Sequence, residues 1–84
     1  MTMGRAVTFL VDNGSLEPAA TLALRGIARA LTDRLGEVVV PVSLFHASAV
    51  AAGHLDGVPA EIFEPALAQR LKGGQSDFFV LPLF

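Results

Sequence analysis

Three short apolar runs, 6–11, 37–45 and 78–84, alternate with two stretches in which apolar residues return every three or four positions. Runs this short, without polar alternation, fit strands covered on both faces. The stretches between them have the spacing of helices that bury one stripe. The order β-α-β-α-β calls for parallel strands joined by right-handed crossovers, with helices on both faces of one sheet. At 84 residues there is room for one domain, spanning 1–84, and for a thin core.

The first run, Ala6-Val-Thr-Phe-Leu-Val11, stops at Asp12-Asn13-Gly14-Ser15, a cluster of turn and capping residues. Ser15 is the expected N-cap of the first helix, with Glu17 and Pro18 in its first turn. Ala20, Leu24, Ile27, Leu31 and Leu35 form the expected buried stripe, and Arg25, Arg29 and Thr32 the outer face. Gly36 supplies the stop. Gly26 costs the helix roughly 1 kcal/mol relative to alanine, and the expected return is close packing on the sheet.

The second run, Glu37 to Phe45, contains Pro41, which cannot donate to a ladder and so belongs at a sheet edge. That puts the strands in the order 2-1-3. A small-residue connection over 46–58 carries His46, Ser48, His54 and Asp56. The second helix has Ile62, Phe63, Ala66, Leu67 and Leu71 as its inner stripe. Either it runs from Pro59 with a kink at Pro65, the reading favoured by the sequence, or it starts near Glu64 with Pro65 at its first position. Gly73-Gly74 ends it. The third run, Phe78 to Phe84, is the most apolar, and a bare edge of that kind associates unless covered. The expected cover is a second copy, giving a homodimer or higher oligomer, or the remainder of a longer chain.

Apolar residues make up 52% of the chain and charged ones 17%, the opposite of a disordered balance. Six Lys and Arg spread along the sequence form no patch for a phosphate backbone, so nucleic acid is not an expected partner. The absence of cysteine removes thiolate zinc sites and iron–sulfur clusters from this chain's repertoire. The N-terminal apolar run is shorter than an export signal or a membrane span requires. No membrane association is expected, and the default location is the cytoplasm.

Ligands of open parallel sheets bind beyond the carboxyl ends of the strands, where strand order reverses. Asp12-Asn13-Gly14-Ser15 lies there and leads into a helix N-terminus that favours anions. The same residues also suit a plain strand-to-helix turn. One glycine and no Walker lysine give no dinucleotide or ATP motif. His46 follows the second strand and is either a ligand or proton carrier, or a loop histidine bonded to backbone or water. Glu61 and Glu64 read as a surface face near a helix start.

Phe9-Leu-Val-Asp-Asn-Gly-Ser-Leu-Glu-Pro18, Pro41-Val-Ser-Leu-Phe-His-Ala-Ser48 and Phe79-Val-Leu-Pro-Leu-Phe84 resemble the N-terminal part of CbiX-type sirohydrochlorin cobaltochelatases. The resemblance covers nearly the whole chain. It implies a flavodoxin-like half-domain and ATP-independent insertion of a divalent metal into sirohydrochlorin, in cobalamin or siroheme biosynthesis. Cobalt is the expected metal, with iron or nickel as relatives use them. The metal is a substrate, and no tightly bound cofactor is implied. Family members carry His-Gly-Ser after strand 1, the histidine binding metal and assisting proton removal; here Asn13 occupies that place. An asparagine hydrogen-bonds or offers a carbonyl oxygen but is no base near neutral pH. The family's second metal histidine falls beyond the region corresponding to Phe84, so neither expected histidine is present; His46, at the end of the neighbouring strand, is the expected replacement as metal ligand and, with Asn13, the expected catalytic position. Asp12, Asn13, Gly14, Ser15 and Ser48 are implied as substrate-binding. An inactive or partial form is compatible with the Asn13 substitution. The rival readings are a non-enzymatic α/β module assembling through strand 3, and a flavodoxin-like signalling or ligand-binding domain.

Overall fold

The computed structural model describes residues 6–84; residues 1–5, the head of the stretch read for an export signal, lie outside the described residues. The elements are β1 (Val7–Asp12), α1 (Pro18–Leu35), β2 (Val39–Ser43), α2 (Phe63–Lys72) and β3 (Phe78–Pro82). Two single 3-10 turns, Ala47–Ala49 and Ala52–His54, interrupt the connection between β2 and α2. The three strands form one parallel sheet in the order β2-β1-β3, as expected from Pro41. Thr8 pairs with Val39 on one side, and Val7 with Phe78 on the other.

Alternation along β1 divides the core in two. Phe9 and Val11 join Val40, Val42 and Ala66 of α2 on one face. Leu10 joins Val39 with Leu24 and Ala28 of α1 on the other. The helices therefore cover opposite faces, and the molecule is a three-layer α/β half-domain. Phe9 is fully buried. Its ring meets Phe63 edge-on at 5.4 Å and stacks on Phe78 at 5.7 Å, with the Arg70 guanidinium 5.4 Å from its centroid. One aromatic residue thus ties β1, α2 and β3 together.

Several local expectations are corrected. The buried residues of α1 are Thr21, Leu24 and Ala28, so the stripe is rotated away from Ile27, which is exposed, and Leu35 lies exposed in the last turn. Arg25 and Thr32, expected to face outward, are both used internally. Arg25 donates to the carbonyls of Leu55, Val58 and Pro59 at 2.9, 2.6 and 3.2 Å. Thr32 Oγ1 accepts from the Val39 N–H at 3.0 Å. The rotation arises because the 44–62 connection folds beside α1 and buries Leu55 completely. Leu55 is a core residue that its Gly- and His-rich surroundings concealed.

Gly26 is exposed and has open space where a Cβ would be, so it gives no close approach to the sheet. The N-cap is Glu17, not Ser15; the Ser15 hydroxyl, two residues before that cap, accepts from the Glu17 N–H at 3.0 Å. In α2 the sequence's favoured kink is absent. The helix starts at Phe63, which puts Pro65 in the first turn, where a missing N–H is harmless.

The sheet edges differ in their unused donors. In a parallel ladder alternate residues of an edge strand bond inward, and the others point their N–H and C=O groups outward. Leu44 N–H to the Asp12 carbonyl and Thr8 N–H to the Val38 carbonyl leave Val39, Pro41 and Ser43 outward on β2. Val39 N–H goes to Thr32, and Ser43 N–H to the Glu61 carbonyl at 3.0 Å. Pro41 has no N–H, so β2 offers no outward donor. On β3, Val7 N–H to the Asp77 carbonyl and Leu83 N–H to the Val11 carbonyl leave Phe78, Val80 and Pro82 outward. Neither helix lies over the outer part of β3. Phe79, Val80 and Leu81 are 62, 54 and 44% exposed.

Candidate functional site

At the carboxyl end of the sheet the loops after β1 and β2 are joined. The ladder continues past both strands: Leu44 N–H donates to the Asp12 carbonyl at 2.9 Å, and Phe45 N–H to the Asn13 carbonyl at 3.1 Å. The Ser43 hydroxyl donates to Asp12 Oδ1 at 2.5 Å. Asp12 is thereby held in the platform and shielded from one side, and Ser43, itself buried, is satisfied by it.

Gly14 makes the junction possible. Its φ is +99°, and a Cβ there would collide with the Phe45 carbonyl oxygen and crowd the Ser43 side chain. Only glycine meets both conditions. The two loops are consequently in backbone contact, and Asn13 and His46 are brought to neighbouring positions on one rim. Both are exposed.

His46 also has a positive φ, 71°, uncommon for a residue with a side chain. The backbone around it is fixed by Ala47 N–H to the Phe45 carbonyl at 2.8 Å and Ala49 N–H to the His46 carbonyl at 2.9 Å. The ring stands 5.6 Å from that of Phe45. The fully buried Ala47 anchors the turn that follows.

The structure brings Asp12, Asn13, Gly14, Ser15 and His46 to the same end of the sheet. Ser48 is exposed in the turn after His46 and lines a shallow groove with Ile62 and Pro65, toward the start of α2. The helix N-terminus is a poorer anion site than its position suggests. Pro18 has no N–H to give, and Glu17 places a carboxylate at the cap. The Glu17 N–H is used by Ser15 and the Ala20 N–H by the Glu17 carbonyl. Polar side chains on the rim, Asn13 and His46, are left as the groups best able to meet a ligand.

Among the described residues no group of three or more His, Cys, Asp or Glu side chains is close enough to hold a metal ion. A groove of about 280 Å³ runs between α1 and the outer edge of β2, lined by Arg25, Arg29, Pro41, Val58 and Glu61 among others. Neither Asn13 nor His46 lines it. Both side chains are exposed on the rim they share. No helix among the described residues is long and apolar enough to cross a membrane. Compared with known protein families, curated proteins and solved structures, the chain matches none.

Proposed function

We propose that the chain is a chelatase-type half-site, cytoplasmic, which binds a carboxylate-bearing tetrapyrrole on the platform after β1 and β2 and assists insertion of a divalent metal. The observation that supports this reading is the hydrogen-bonded junction of the two loops, which sets Asn13 and His46 at neighbouring positions at the carboxyl end of the sheet. The resemblance supplies sirohydrochlorin as the tetrapyrrole and cobalt as the metal.

In this reading the Asn13 amide donates to a substrate carboxylate or offers its oxygen to the incoming ion. His46, through a neutral imidazole nitrogen, holds the ion or takes a proton. Each insertion brings in a dication and releases the two pyrrole N–H protons, so charge balances without ATP. With Asn13 replacing a histidine, proton acceptance rests on His46 and water.

The test is an anaerobic absorbance assay of the chain with sirohydrochlorin and Co²⁺, read against the same mixture without protein. The expected result is accelerated formation of the cobalt product, lost in His46→Ala and raised about 100-fold in Asn13→His, the scale of one positioned base. A folded chain that neither shifts the sirohydrochlorin spectrum nor accelerates insertion overturns the reading. The rival with an observation of its own is a non-enzymatic assembly module, favoured by the uncovered β3. It predicts association with no effect on the tetrapyrrole.

A further inference from the structure

We propose that β3 pairs antiparallel with β3 of a second copy of this chain, across a two-fold axis at Phe79, to form a continuous six-stranded sheet. The pairing is independent of what the β1 and β2 loops bind.

The edge is self-complementary, as a two-fold interface must be. Phe78 and Val80 point both N–H and C=O outward, because Asp77, Leu83 and the alternate residues between them face β1. With Phe79 opposite its own copy, Phe78 falls opposite Val80 of the second chain. Each such pair exchanges two hydrogen bonds, giving four about the axis. Pro82, which lacks a donor, then falls opposite Ser76 at the margin, where its carbonyl is still able to accept. A register one residue away would bring side chains of opposite faces together and lose this match.

Side chains point the same way. From the register with β1, Phe78 and Val80 lie on the α2 face, and Phe79 and Leu81 on the α1 face. Pairing sets Phe79 against Phe79, a cross-strand aromatic contact. No residue from Phe78 to Phe84 is charged, and Asp77 falls opposite Leu81, so no like charges oppose. Among the described residues β3 carries no lysine, one of the devices by which open strands resist such pairing, and its single proline lies at the strand's end.

The exposed parts of Phe79, Val80, Leu81, Leu83 and Phe84, from 44 to 75% of each residue, sum to roughly 500 Å², on the scale of 150–250 Å² for a whole Phe. A stable interface buries about 800 Å² per partner. The strand backbone and the flanking Ser76 and Asp77 supply the difference. The opposite edge, with every outward N–H on β2 either bonded or absent, offers no equivalent.

The experiment is sedimentation equilibrium of the full chain across the micromolar range, with a cross-linking variant beside it. The expected mass is twice the 8.8 kDa of the chain. Val80→Pro removes an outward donor without touching the β1 ladder, and Phe79→Lys puts charge on the axis; each is expected to weaken association at least tenfold. The chain has no cysteine, so Phe79→Cys is expected to oxidise to a covalent dimer, the non-hydrogen-bonded pair spacing matching a disulfide. Leu16→Cys, exposed in the loop after β1 and outside the paired strand, is the control expected not to cross-link quickly. A monomer throughout the range overturns the proposal. So does a dimer indifferent to both β3 substitutions, or one in which Phe79→Cys links no faster than Leu16→Cys.

Discussion

Along β2 the N–H of Val39 is held by Thr32 and that of Ser43 by Glu61, and Pro41 has none; along β3, Phe78 and Val80 keep theirs facing outward. The two strands have the same length and both contain a proline. What separates them is what packs beside β2, from both α1 and the connection after it. After β2 the 44–62 connection turns back, is fastened by Arg25, and lays Ile62 in a bridge beside Ser43. An edge is closed by contacts from distant sequence, and composition of the strand alone does not reveal it.

The closed side is the easier one to break, and the largest effect is expected at its hinge. Gly14→Ala forces a side chain into the Phe45 carbonyl at a left-handed φ; a loss of about 3 kcal/mol in urea unfolding is expected. Exchange of the Ser43 amide hydrogen should quicken in the same variant. Arg25→Ala frees three carbonyls from the connection and should cost about 2 kcal/mol, with faster exchange at Ser43 and little change along β3. Thr32→Val leaves the buried Val39 N–H without its acceptor, an expected loss of about 1 kcal/mol, again read by amide exchange. The smallest effect on stability, within about 0.5 kcal/mol, is expected for Pro41→Ala. It hands β2 an outward donor, so sedimentation should show slight association beyond that of the unchanged chain. No change in mass would mean that the fastened connection, and not the missing N–H, keeps that edge quiet.

Strand order was legible from Pro41, because a residue without a donor inside a strand points to a sheet edge. Element order followed from spacing. Side-chain roles on α1 were not legible. Arg25 and Thr32 sit where an isolated amphipathic helix would meet solvent, and their partners, Leu55 and Val39, come from segments whose path the helix pattern does not encode. Thr21 is buried and Ile27 exposed, against a hydropathy rule that favours Ile27. Pro65 misled for a similar reason: a proline one turn inside a pattern looks like a break until the true start at Phe63 is known. At the candidate site, the run Asp12-Asn13-Gly14-Ser15 was correctly located at the sheet's carboxyl end. Its docking onto Phe45 was hidden, since only the backbone geometry of a second loop explains why Gly14 admits no side chain.

β1 has its partners at very different distances along the chain. Thr8 meets Val39 after 31 positions, and Val7 meets Phe78 after 71. Closing the longer loop costs roughly 0.7 kcal/mol more in chain entropy, and the strand it delivers is half uncovered. In the unpaired monomer the β1–β3 seam is therefore the last to form and the first to open. In time-resolved terms the molecule breathes along one line, and the amide hydrogens of Phe79 and Leu81 should exchange through that opening well before those of Val40 and Val42.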